Sequence, residues 1–260
     1  MVRILFFGDI VGRSGRLAVK IYLDEQDLDQ YDLIIANGEN TAGGKGITRD
    51  IAEELYALGI DVITMGNHVW DKKDILRFIN DEKRLIRPAN YPSGTPGKGF
   101  TILQSKHDEK IAVINLAGRV FMSNLDYPFR TAELLVKEIK QVTNNIIIDF
   151  HGEATSEKLA LGWFMAGKVS AIFGTHTHVQ TNDARILPGG TAYITDVGMT
   201  GPKDSILGVK SDLVLQKFLT QMPVKFEVAN GGAAQVNGVV LELDDEGKAI
   251  SISLINDFLD

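Results

Sequence analysis

Ile146-Ile147-Ile148-Asp149-Phe150-His151 is a β-branched apolar run that ends in an imidazole. Three consecutive isoleucines leave no polar face, which suits a strand covered on both sides rather than one half open to water. Strand-like runs recur upstream at residues 2–7, 33–36, 62–65, 100–103, 111–116 and 145–150. They continue at 171–173, 192–195, 226–228, 238–243 and 251–255. Helical patterns lie between them at 17–23, 51–58, 131–140, 157–166 and 211–219; in the second, Ile51, Leu55 and Leu58 fall on one face. Strands alternating with helices predict an α/β fold built on a largely parallel sheet. The tail differs. Val239-Val240-Leu241-Glu242-Leu243, the turn Asp244-Asp245-Glu246-Gly247 and Ile250-Ser251-Ile252-Ser253-Leu254 read as an antiparallel hairpin. The Pro92 to Gly99 stretch reads as a loop. With no linker or repeat, a single domain over residues 1–260 is expected.

Composition narrows the class of function. The chain has 260 residues, a net charge of −7, 44% hydrophobic and 23% charged residues, as a globular protein with a sizeable core would. An acidic balance argues against an extended nucleic-acid surface, which wants a basic face. Cysteine is absent, so disulfides, thiolate metal sites and cysteine nucleophiles are excluded. No run reaches the roughly 18 apolar residues of a membrane span, and the amino terminus lacks a cleavage pattern. A cytoplasmic protein with no membrane contact is the expectation.

The polar residues at the carboxyl ends of the strands carry the chemistry. Asp9 follows Gly8, Glu39 and Asn40 follow Gly38, Asn67 and His68 follow Gly66, His151 follows Phe150, and His176 and His178 follow Gly174-Thr175. Open α/β sheets bind ligands at this edge. Four of the five histidines stand there; only His107 lies elsewhere, in a charged loop. Carboxylate, carboxamide and imidazole without thiolate match divalent iron, manganese or zinc. Asp9, Glu39, Asn40, Asn67, His151, His176 and His178 are too many for one ion with an open position and about right for two ions sharing a carboxylate. His176 and His178 would share a face in extended geometry and serve one ion, or one ion each if the loop curls. The glycines before the clusters (Gly8, Gly38, Gly66, Gly174) are expected to permit tight strand-to-loop turns.

Gly66-Asn67-His68 and Gly174-Thr175-His176-Thr177-His178 resemble motifs of the calcineurin-like metallophosphoesterases. Gly8-Asp9-Ile10-Val11-Gly12, Asn37-Gly38-Glu39-Asn40, Gly66-Asn67-His68-Val69-Trp70, Gly174 to Thr181 and Asp196-Val197-Gly198-Met199-Thr200-Gly201-Pro202 resemble the YmdB-like branch, bacterial phosphodiesterases, in order along the chain. Departures from the wider superfamily are Val11 where its first motif has histidine, and Glu39 where its second has aspartate. The resemblance implies a four-layered α/β/β/α sandwich of two mixed sheets. It implies a first metal on Asp9, Glu39, Asn40 and His178, and a second on Glu39, Asn67, His151 and His176. The ions would be divalent or mixed-valent, iron or manganese first and zinc next. By the same resemblance, a metal-bridging hydroxide attacks phosphorus and His68 acts as general acid toward the leaving alkoxide. The implied substrates are small phosphodiesters, 2′,3′- or 3′,5′-cyclic nucleotides foremost.

Bland readings compete with each assignment. Asp9 could cap a helix, Glu39-Asn40 could be turn residues, and Asn67-His68 a turn with a surface histidine. Gly8, Gly12 and Gly15 are off the dinucleotide spacing, and Asp9 would repel a pyrophosphate. Trp70 and Trp163 read as packing residues, Arg13, Lys45 and Arg49 as phosphate-facing or solvated, and Tyr127-Pro128-Phe129 as a loop or pocket wall. The rivals to a phosphodiesterase are a phosphatase of another ester and a regulatory or scaffold protein with a weakly active metal site. Homo-oligomer formation is compatible with the composition.

Overall fold

The computed structural model describes residues 1–259. Its first half runs β1 (Val2–Phe7), β2 (Asp9–Ile10), α1 (Gly12–Asp24), β3 (Leu33–Asn37), α2 (Arg49–Ala57), β4 (Val62–Thr64), β5 (Leu85–Ile86), β6 (Phe100–Gln104), β7 (Lys110–Ala117) and α3 (Pro128–Ile139). The second half runs β8 (Asn145–His151), α4 (Thr155–Met165), β9 (Ala171–Thr175), β10 (Arg185–Leu187), β11 (Thr191–Ile194), β12 (Met199–Pro202), α5 (Ser211–Thr220), β13 (Ala234–Leu243) and β14 (Ala249–Leu259).

Two mixed sheets result. One is ordered β2-β12-β13-β1-β3-β4-β5, with β14 hydrogen-bonded to β13; the other is ordered β10-β11-β9-β8-β7-β6. Side-chain alternation explains why the sheets face each other and carry helices outside. On β1, Ile4 and Phe6 enter an apolar layer shared with Val113, Ile147 and Phe173 of the other sheet. The intervening Leu5 and Phe7 pack with Val19, Tyr22 and Leu55 beneath α1 and α2. On the second sheet, Ile146 and Ile148 turn outward onto Val136 and Ile139 of α3 and Leu161 and Met165 of α4. The isoleucine run is thus buried on both faces because it lies between two apolar layers. The whole is the expected α/β/β/α sandwich.

The expected hairpin is present, with β13 and β14 antiparallel along their length. Residues 226–228 do not form the strand expected of them; among them only Val228 makes a bridge, to Val209. Asp9 is within a strand rather than after one, since β2 pairs with β12 through Asp9 and Met199. No helix among the described residues is long and apolar enough to cross a membrane.

Candidate metal centre

All seven candidate ligands gather at the carboxyl edges of the two sheets, and the approach is close enough to be read in distances. His151, fully buried at the end of β8, places Nε2 3.0 Å from Glu39 Oε1, 3.1 Å from Asn67 Oδ1 and 3.0 Å from His176 Nδ1. A second group forms beside it: His178 Nε2 lies 3.3 Å from Asn40 Oδ1 and 3.9 Å from Asp9 Oδ1. Asp9 Oδ1 is also 3.9 Å from His151 Nδ1, so this carboxylate adjoins both groups.

Hydrogen bonds at the far side of each ligand reveal which atoms are left for a ligand. The Asn40 amide nitrogen donates to the Gly44 carbonyl at 3.0 Å, which turns Oδ1 inward. The His178 ring donates from Nδ1 to the Leu207 carbonyl at 3.1 Å, so Nε2 keeps its lone pair. Two acceptors therefore face each other at 3.3 Å, beside an Asp9 Oδ1 that is buried and has no hydrogen-bond partner. His176 repeats the arrangement: Nε2 is 2.9 Å from Glu153 Oε2, leaving Nδ1 toward His151. Acceptor atoms converging on one another, without thiolate and without a lysine or arginine among them, fit divalent cations. Glu39, His151 and His176 alone bring three ligand atoms within 4.8 Å of one another.

The close packing of these groups sets their charges. Burial would raise Glu39, but the adjoining His151 outweighs it and holds the carboxyl at about 2. Burial would lower His151, yet the charge of Glu39 and the hydrogen bond to it lift the imidazole to about 9. Burial and the neighbouring His151 charge push His176 down to about 3. Burial raises Asp9. The centre draws positive charge to itself.

Local backbone explains how one short loop supplies both groups. His176 and His178 adopt positive φ of 100° and 64°, a strained choice for non-glycine residues. Between them Thr177 is clamped: its N–H and hydroxyl donate to Asp196 Oδ2 at 3.0 and 2.7 Å, and Lys158 Nζ donates to the same oxygen at 2.7 Å. Lys158 and Asp196 are both buried, so this anchor is shielded from water. The loop curls, and the two imidazoles part.

None of the four glycines before the clusters has positive φ, contrary to the expected turn role. Their role is space. A Cβ on Gly66 would stand 2.4 Å from both Glu39 Oε2 and His151 Nε2.

His68 is not in either group. Its N–H donates to Glu39 Oε2 at 2.9 Å, while Nδ1 bonds Asp71 Oδ2 at 2.9 Å. The ring lines a cavity of about 260 Å³ with Glu39, Asn40, Glu153, His176 and His178. Trp70 packs on Tyr91 as expected, whereas Trp163 is more than half exposed. Tyr127 and Phe129 stack on each other at the start of α3, apart from the residues lining this cavity, and Arg49 covers Phe78. Sequence reasoning passed over Asp71, Glu153, Lys158, Asp149 and Thr175; Asp71 three residues after His68 carried the clearest signal. Asp149, buried and pushed up to about 6 by burial, accepts from Asn37, Thr64 and Thr175.

The YmdB-like protein family model matches residues 5–255. The chain is 54% identical to the 2′,3′-cyclic-nucleotide 2′-phosphodiesterase of Bacillus subtilis (strain 168), over 98% of each chain. Among solved structures it is similar to a protein of Thermus thermophilus, with TM-score 0.93, 42% identity and 99% of each chain covered. It is also similar to a phosphatase of Mycoplasma pneumoniae, with TM-score 0.92 and 37% identity over 99% of this chain and 93% of that one. Matched from residue 5 to residue 255 by the family model, the chain belongs to the YmdB-like protein family.

Proposed function

We propose that this chain is a metal-dependent phosphodiesterase that hydrolyses small phosphodiesters, 2′,3′-cyclic nucleotides foremost. The observation that carries the reading is the convergence of two acceptor sets at one rim, with Asp9 Oδ1 3.9 Å from a histidine of each set and the His68 N–H bonded to Glu39. The 54% identity to a cyclic-nucleotide phosphodiesterase supports the substrate class.

Asp9, Glu39, Asn40 and His178 would hold one divalent ion, and Glu39, Asn67, His151 and His176 the other. When bound, such ions supply charge stabilisation for the phosphoryl oxygens and acidify water for attack at neutral pH. The chain's own residues do the rest. His68 is the proton donor to the leaving alkoxide; Asp71 accepts from its Nδ1, which leaves Nε2 as the atom that delivers the proton. The bond from the His68 N–H to Glu39 ties that donor to a metal-binding carboxylate, so acid and ligand keep a constant separation. The cavity wall presents the Glu153 carboxylate and, among the described residues, no lysine or arginine. Such a wall suits a singly charged diester better than a doubly charged monoester.

The experiment is hydrolysis of 2′,3′-cyclic AMP by the purified full chain, by Glu39→Gln and by wild type treated with a chelator and then with manganese. Turnover that is lost on chelation, restored by manganese and absent in Glu39→Gln is the expected result. Undiminished turnover in Glu39→Gln would overturn the assignment.

A further inference from the structure

We propose that Asp149 and Thr175 form a relay that fixes the proton of His151 on Nδ1 and so aims Nε2 at the metal. The proposal rests on the reading of the rim as a metal centre. Asp149 is fully buried on β8, two residues before His151 and therefore on the same face of the strand. It does not enter either ligand group, and among the described residues its side-chain partners are Asn37, Thr64 and Thr175. A buried carboxylate in that position is costly unless its acceptor capacity is used.

Its capacity is used by donors alone. Asn37 Nδ2 donates to Oδ2 at 3.0 Å, the Thr64 hydroxyl donates to the same oxygen, and the Thr175 hydroxyl donates to Oδ1 at 2.7 Å. A hydroxyl has one hydrogen. Because Thr175 spends it on Asp149, it can only accept from His151 Nδ1, which stands 2.9 Å away. Nδ1 therefore carries a proton, and Nε2 is the nitrogen left to bind metal beside Glu39 Oε1 and Asn67 Oδ1. Sheet register holds the relay in place, since Thr175 of β9 pairs directly with His151 of β8. A carboxylate acting on a metal-binding imidazole through a hydroxyl is one link longer than the usual direct contact and has the same effect on tautomer and ring angle. Asp149 and Thr175 are positioning residues, acting on the metal through His151.

The test compares wild type with Thr175→Ser, Thr175→Val and Asp149→Asn, each as the full chain. Manganese binding isotherms measure both ions, and thermal denaturation of the chelated proteins reports the fold separately. Serine keeps the hydroxyl and should bind both ions as the wild type does. Valine keeps the shape without the hydroxyl and should bind one of the two ions about 10- to 100-fold more weakly, the usual cost of removing an outer partner. Asparagine can offer its NH₂ to Thr175, turning the hydroxyl toward Nδ1 and moving the ring proton onto Nε2; it too should weaken one ion. A second readout is the His151 Nδ1 proton in the zinc-loaded protein, expected as a slowly exchanging NMR resonance in wild type and Thr175→Ser and absent in Thr175→Val. Wild-type affinity for both ions in Thr175→Val or in Asp149→Asn would overturn the relay, as would a Thr175→Ser variant as weak as Thr175→Val. If Thr175→Val does not fold, Asp149→Asn and Thr175→Ser decide by the same criteria. Failure of the wild type to bind manganese would overturn the metal reading itself, and the relay with it.

Discussion

His176 and His178 are separated by one residue yet serve different neighbours: His176 Nδ1 lies 3.0 Å from His151 Nε2, and His178 Nε2 lies 3.3 Å from Asn40 Oδ1. Positive φ at both positions curls the loop, and Asp196 holds Thr177 between them. One five-residue motif thereby contributes an imidazole to each of two groups.

If each histidine serves its own ion, the ions are separable. Asn67→Ala and His176→Ala should lose one ion preferentially, and Asn40→Ala and His178→Ala the other. Metal content by atomic spectroscopy checks this, and equal loss of both ions in every variant would count against two sites.

His68 contacts Glu39 only through its backbone N–H, so its ring can be removed without touching a ligand. His68→Ala should keep the full metal content and lose about 10²- to 10⁴-fold in turnover of a cyclic nucleotide, the range for one general acid. A variant that loses its metal as well would refute the separation of roles.

Space at Gly66 is a requirement of the centre, since an added Cβ would stand 2.4 Å from His151 Nε2. Gly66→Ala should fold, as measured by circular dichroism, and bind metal markedly more weakly than wild type. Unchanged metal affinity would show that the centre relaxes around the methyl group.

Glu153 bonds His176 at 2.9 Å and leaves its carboxylate on the cavity wall. Glu153→Gln keeps an acceptor for His176 and removes the charge. Its ratio of p-nitrophenyl phosphate to bis-p-nitrophenyl phosphate hydrolysis should rise roughly fivefold, the factor one charge carries at contact range in near-aqueous surroundings.

Away from the rim, Asp32 is a pH-dependent anchor. Burial would raise its carboxyl, but the Arg3 N–H at 2.9 Å, His107 at 2.8 Å and Ser105 at 3.0 Å outweigh burial and hold it below the usual carboxylate range. A group depressed in the folded state adds stability above its unfolded pKa, near 3.9, and loses it as pH falls through the folded value. Asp32→Asn should therefore lower the thermal midpoint at pH 7, with the gap from wild type narrowing below about pH 4. A gap independent of pH would contradict the ionic role.

Much of this architecture was legible in the residues, for a physical reason. Strands such as β8, covered on both sides, are apolar over most of their length, so their positions and the polar residues at their ends stand out. The strands that escaped notice, β2, β5, β10 and β12, are two to four residues long, too short to leave a periodic signal. The candidate ligands were legible because they cluster just after apolar runs. Thr175, Asp149 and Glu153 were not, because their roles arise only when β8 and β9 are aligned in register and the loop after them curls.

The proposed activity depends on the rim binding two catalytic metal ions. The most direct measurement is metal content per chain of the purified protein, taken together with hydrolysis of bis-p-nitrophenyl phosphate before and after manganese reconstitution. Two ions per chain with turnover that follows occupancy is the predicted result. A folded protein that binds no metal after reconstitution, or that turns over equally well without it, would contradict the claim.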